Sequence, residues 1–289
     1  MTPIPIDAAN ARNLYQPVRP NAHKGSQGHA LLIGGSYGKI GAMVLCSRAA
    51  LHAGAGLVTA FIPGCGYTAL QSAVPEVMVL TDENERQLTS FSIDFEPQAI
   101  AIGPGMGQEP ATQRALHRFL LHNKLPLVLD ADALNILSKN PTWLGLLPAG
   151  TILTPHPKEL ARLTGPCSSE EETIQQTLAL AQRYGLVIVK KGAPSQIVHN
   201  GQIFENTTGN QALATAGSGD VLTGIITGLR AQGYAPVHAA QLGVYLHGLT
   251  ADLALPHTGH ESFVASDIIH WLGPAFLTLK PKGAGIGFK

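Results

Sequence analysis

From residue 29 onward, short apolar runs alternate with longer stretches whose apolar positions recur at helical spacing. The runs predict strands at His29–Ile33, Leu57–Ile62, Ala99–Ile102, Leu125–Asp130, Thr151–Thr154, Leu186–Lys190, Gln196–His199 and Gln202–Glu205. Asn200-Gly201 suits a two-residue hairpin turn between the last two. The intervening patterns predict helices at Ala42–Ala53, Pro110–His122, Glu170–Tyr184, Asp220–Ala231 and Pro236–Leu255. Strands separated by helices pair in parallel, so a three-layer α/β/α fold around a mostly parallel sheet is expected. Neither an internal repeat nor a linker rich in Pro, Gly or Ser divides the chain, and one domain over residues 1–289 is the expectation.

Composition narrows the partners more than the fold. Nineteen basic residues balance nineteen acidic ones, so no net positive field is available to hold nucleic acid or an anionic membrane. No run approaches the roughly 18 apolar residues of a membrane span. Cys46, Cys65 and Cys167 are widely spaced and form no CxxC pair, which points to a reducing, cytoplasmic setting.

A phosphate-bearing ligand must therefore be held locally, and in open parallel sheets ligands bind beyond the carboxyl ends of the strands. Glycine-rich segments fall at such junctions at residues 34–42, 103–107 and 216–220. The first lacks the spacing and the Ser or Thr of a P-loop, and GPGMG lacks the third glycine of a dinucleotide fingerprint. Gly217-Ser218-Gly219-Asp220 opens a helix whose apolar stripe is Val221, Leu222, Ile225, Ile226 and Leu229. Convergent amides and the positive end of the helix dipole make that loop an anion site. There Asp220 is either a base for a hydroxyl proton or a plain helix cap.

Other candidates each carry a bland alternative. The prolines around His156 hold it in extended backbone at a strand end, facing a ligand or simply the surface. Lys190-Lys191-Gly192-Ala193-Pro194-Ser195 can receive a nucleotide or form an ordinary turn. Asp130, Asp132 and Asn135 can assist a magnesium–phosphate site or cap a helix. The histidines show no zinc spacing.

In order along the chain, KGSQG, LLIGGSYGKIGA, AALHAGAGLVT, IGPGMG, LDADALN, LTPHPKE, VKKGA and TAGSGDVLTGI resemble the NAD(P)H-hydrate dehydratase family of the ribokinase-like superfamily. The resemblance implies a single ribokinase-like domain acting as an ADP-dependent dehydratase, with Mg²⁺ as cofactor and ADP (or ATP) consumed as co-substrate while hydrated NADH or NADPH is repaired. It implies that Ala42, Gly105, His156 and Asp220 face the hydrated dinucleotide. Lys191, Gly192, Ala193, Pro194, Ser195 and Gly219 would contact the adenine nucleotide, and the amides of Gly217, Ser218 and Gly219 would form the anion hole. Asp220 matches the superfamily's proton acceptor.

The resemblance further implies a homo-oligomer, with the apolar Leu242–Leu255 helix a candidate interface, and an NAD(P)H-hydrate epimerase working as a separate chain. The rival readings are a vitamin-precursor kinase of the same superfamily and a noncatalytic nucleotide sensor. The PHPKE, LDADALN and KGSQG segments favour the dehydratase over the kinase, and an intact Asp220 argues against the sensor.

Overall fold

Side chains of a strand point alternately to its two faces, and here both faces are apolar. Along β2 (His29–Ile33), Ala30 and Leu32 enter one core while Leu31 and Ile33 enter the other. β5 (Ala99–Ile102) repeats the pattern, with Ala99 and Ala101 on the first face and Ile100 and Ile102 on the second. The structure, a computed structural model, describes residues 2–280.

The remaining strands are β1 (Ile4–Ile6), β3 (Leu57–Ile62), β4 (Met78–Thr81), β6 (Leu127–Leu129), β7 (Ile152–Leu153), β8 (Val187–Lys190), β9 (Gln196–His199) and β10 (Gln202–Asn206). They form one ten-stranded sheet in the order β1-β10-β9-β8-β7-β6-β5-β2-β3-β4. From β4 to β8 every pair is parallel, and β8–β9 and β9–β10 are antiparallel. Asn200 and Gly201 take φ of 47° and 75°, as the expected hairpin turn requires.

Helices cover both faces. On the first lie α1 (Ala8–Leu14), α2 (Ile40–His52), α3 (Tyr67–Ala73), α8 (Ser218–Ala231), α9 (Pro236–Thr258) and α10 (Ala265–Leu279). On the second lie α4 (Pro110–His122), α5 (Ala131–Lys139), α6 (Pro157–Thr164) and α7 (Glu170–Tyr184). Strand order reverses between β2 and β5, which opens a crevice at their carboxyl ends.

α2 and α8 cross almost without intervening side chains. A Cβ at Gly224 would lie 2.2 Å from the Cys46 carbonyl oxygen, and one at Gly228 would lie 2.5 Å from that of Ala50. Only glycine permits this approach, and it fixes the start of α8 beside the start of α2.

Several expectations change, among them the end of α9, which runs on to Thr258, and the extent of β6, which is shorter than Leu125–Asp130. α8 begins at Ser218 instead of Asp220, because Gly217 is its N-cap. α2 begins two residues before Ala42, at Ile40. Within the Leu242–Leu255 stretch, Leu242, Leu246, Ala251 and Ala254 are fully buried inside the chain as α9 packs on α8 and α10, which leaves its later part, with Leu253 and Leu255 half-buried, at the surface.

Candidate active site

Gly217 has φ of 86°, a left-handed backbone that glycine adopts without steric cost, and it contributes no side-chain cap. The helix therefore starts one residue later and Asp220 falls inside its first turn. Asp220 is not the cap that the bland reading supposed. Its carboxyl lines the cleft, and burial, followed by the nearby Asp130 carboxylate, pushes its pKa up to about 6, against the pull of Lys191.

Lys191 comes from the end of β8, on the other side of the cleft. Its Nζ donates to Asp130 Oδ1 at 2.8 Å and would sit only 3.3 Å from a Cβ placed on Gly219. A side chain at position 219 would thus crowd the ammonium. Asp130 Oδ2 accepts from Thr223 Oγ1, also at 2.8 Å. Asp130 stands at the N-cap position of α5, but its side chain makes no cap hydrogen bond and instead forms an internal ion pair with Lys191.

His156 lies three residues beyond β7 in extended backbone, with φ −77° and ψ 166°, as its flanking prolines foretold. Its ring is itself the cap of α6: Nδ1 accepts from the amides of Lys158 at 3.1 Å and Glu159 at 3.3 Å. Nε2 consequently carries the proton and faces Glu159 Oε1 at 3.3 Å. Burial, followed by Lys191, lowers the His156 pKa, so the ring is neutral and held in one tautomer.

One cleft of about 890 Å³ gathers Asp130, His156, Lys191 to Ser195 and Gly217 to Asp220. Ser195 Oγ closes the turn onto Gly192, donating to its carbonyl at 3.0 Å. Ala42 and Gly105 are not on that wall. They meet each other at the β2/β5 crevice, where a Cβ on Gly105 would lie 3.2 Å from that of Ala42. Asp132 braces this rim by accepting from the Gly107 amide at 2.9 Å, and its charge is felt at Asp220.

A model of the NAD(P)H-hydrate dehydratase family matches residues 30–272. The chain belongs to this family. Its layered architecture is ribokinase-like, as the strand order and covering helices indicate. The chain is 39% identical over 278 residues to the bifunctional NAD(P)H-hydrate repair enzyme Nnr of Moorella thermoacetica, covering 92% of this chain and 52% of that protein. It thus spans about half the length of such bifunctional relatives. With the ADP-dependent (S)-NAD(P)H-hydrate dehydratase of Neisseria meningitidis the identity is 38%, over 86% of this chain and 84% of the relative. Among solved structures, the Bacillus subtilis ADP/ATP-dependent NAD(P)H-hydrate dehydratase co-crystallized with ATP/Mg²⁺ superposes with a TM-score of 0.80 and 29% identity, covering 96% and 99% of the two chains.

Several groups around this dehydratase-family cleft escaped sequence reasoning. His247 of α9 is buried, with Nε2 3.0 Å from the Ser218 carbonyl and 3.2 Å from Ser218 Oγ. A carbonyl only accepts, so Nε2 bears the proton, and burial pulls the pKa down to about 4. Asp252 orders the loop beside the cleft, accepting from the Gly209 amide at 2.8 Å and Asn210 Nδ2 at 2.9 Å. The Ser218 amide donates to the Thr215 carbonyl at 3.3 Å, so one of the three expected anion-hole amides already has an internal acceptor.

Among the described residues no group of three or more His, Cys, Asp or Glu side chains is arranged to hold a metal. Asp130 is committed to Lys191 and Thr223, and Asp132 to Gly107 and Gln108. Asn135 Oδ1 accepts from Arg162 at 2.6 Å. With these partners taken, the donor set does not fit a resident magnesium cage. No helix among the described residues is long and apolar enough to cross a membrane.

Proposed function

We propose that the chain is an ADP-dependent (S)-NAD(P)H-hydrate dehydratase, returning hydrated NADH and NADPH to the reduced dinucleotides with release of AMP and phosphate. The observation that carries the reading is the Asp220 carboxyl in the first turn of α8, held near a pKa of 6 and facing the cleft that Lys191 also enters. A base titrating just below working pH is ionised there and still strong enough to take a proton.

The hydrated nicotinamide carries a hydroxyl at C6, a poor leaving group. In the proposed reaction Asp220 accepts the hydroxyl proton as that oxygen attacks the terminal phosphorus of ADP, whose bond to AMP breaks. The ring nitrogen's electron pair then breaks the C6–O bond of the phosphate ester and expels inorganic phosphate, and loss of a proton from C5 restores the ring double bond. Atoms balance as hydrate plus ADP giving NAD(P)H, AMP, phosphate and a proton. The Gly219 amide and the Lys191 ammonium offset the negative charge on the moving phosphoryl group, because a helix mouth and a fixed cation favour it without reorganising. His156, neutral and locked, supplies a shaped wall and not a second base. An epimerase remains the expected companion, and the cytoplasm, where these nucleotides are used, the proposed setting.

The experiment mixes the chain with hydrated NADH, Mg²⁺ and ADP or ATP. Return of the reduced-nicotinamide absorbance, matched one to one by AMP when ADP is supplied, is the expected result. A stable phosphorylated hydrate would make the protein a kinase, and no consumption of nucleotide would make it a sensor.

A further inference from the structure

Asp130 is 1% exposed, yet its carboxylate neither caps α5 nor opens to water. Both its oxygens are taken, one by the Lys191 ammonium and one by the Thr223 hydroxyl, each at 2.8 Å. Thr223 is itself fully buried in α8, three residues beyond Asp220. The backbone leaves Asp130 little freedom. A Cβ on Gly103 would lie 1.8 Å from the Asp130 carbonyl oxygen, and Ala131 is forced to a φ of 49°, rare for a residue with a side chain. Strand β6, strand β8 and helix α8 are thereby joined through one carboxylate.

We propose that Asp130 is the positioning residue of this site, holding the Lys191 ammonium over Gly219 where a phosphoryl group in transfer must pass, with Thr223 fixing the carboxylate. The value of that position rests on the dehydratase reading; the geometry does not. A lysine stem has several free rotors, and an ammonium pinned before the reaction need not be recruited when charge develops. Asp130 touches the reacting atoms only through Lys191.

The same arrangement sets the proton affinity of Asp220. Its charged and titratable surroundings are Asp130 and Asp132 from the β6–α5 junction and Lys191 from β8. Cys46 of α2 also senses the Asp220 charge, and neutral His247 of α9 bonds to Ser218 in the same turn. Removing the Asp130 charge takes away a repulsion and releases the ammonium toward Asp220, so Asp220 becomes a weaker base. Removing the Lys191 charge does the reverse.

The test follows the side-chain carboxyl ¹³C signal of Asp220, assigned by its loss in Asp220→Asn, through a pH titration of the free protein. In parallel, kcat against pH is measured with hydrated NADH and Mg²⁺–ADP. Asp130→Asn is expected to lower the Asp220 midpoint and carry the acid limb of the rate profile with it, while kcat falls tenfold or more. Lys191→Met is expected to raise the midpoint. Thr223→Val should reduce kcat severalfold, and Thr223→Ser should restore it. An unmoved midpoint in folded Asp130→Asn overturns the proposal, as does a Thr223→Val loss that Thr223→Ser does not repair. If Asp130→Asn fails to fold, the Thr223 pair decides. The titration reads out even if no hydrate is turned over, which separates failure of this inference from failure of the dehydratase reading.

Discussion

The two ends of α8 are built on opposite terms. Its body is pressed against α2 through Gly224 and Gly228, with backbone meeting backbone. Its first turn carries a half-buried carboxyl beside a buried one, with Lys191 between two elements and a neutral histidine behind. Interiors transmit displacement because they are close-packed. The body can therefore hold the first turn in a charge arrangement that would relax if the helix were free to slide. Stability and chemistry are divided along a single helix.

The largest effect that tests this division is on rate. Asp220→Asn should lower kcat about 10²- to 10⁴-fold, the usual contribution of a positioned base, while calorimetry finds ADP binding nearly unchanged. A variant keeping most of its rate would remove Asp220 from the role.

The same substitution should leave the fold more stable above pH 6. The Asp220 pKa rises from 3.8 unfolded to about 6 folded, so its stabilisation is complete below the lower value and lost as pH rises through the upper one. The loss is at most about 3 kcal/mol at roughly 1.4 kcal/mol per unit. His247 opposes it: with its pKa depressed from 6.5 to about 4, its stabilisation is present above 6.5 and disappears as pH falls through 4. The two nearly cancel between pH 4 and 6 in the native protein. Urea unfolding of Asp220→Asn should therefore reveal a clear loss of stability on acidification across that window; a curve parallel to the native one would refute the assignment.

Gly224→Ala attacks the other end. It forces a methyl group into the Cys46 carbonyl and should cost about 1–3 kcal/mol, and kcat should fall as the first turn shifts. Loss of stability with full activity would mean that body and mouth are uncoupled. The smallest effect belongs to Ser218→Ala, which removes a hydroxyl contact to His247 worth about 0.5–1.5 kcal/mol. It spares the amide, so ADP affinity should hold.

How legible each region was follows from the same contrast. Strands such as Ala99–Ile102 and helices such as Pro110–His122 announce themselves because burial on one or both sides writes a continuous or periodic pattern. β1 and β4 escaped because they are short edge strands with half-exposed residues, and α5 and α6 because each begins within a residue or so of the site loops. At the mouth, glycine spacing pointed to Asp220 and the lysine run to Lys191. No local pattern could pair Lys191 with Asp130, 61 positions away, because sheet order alone brings their strands close. His247 was hidden in a largely apolar helix, where it is one of three buried polar residues with Gln241 and Thr250 and nothing local marks it out.

The parallel sheet gives the molecule a working rim and an idle one. The cleft and the β2/β5 crevice both open beyond the carboxyl ends of the strands, so the turn feeding the amino end of β6 lies on the far side. There Lys124 and Leu125 are exposed. A grafted tag, a fluorophore-bearing loop or a tether to a solid support inserted between them should leave ligand access open, making that turn the natural handle for immobilising the protein.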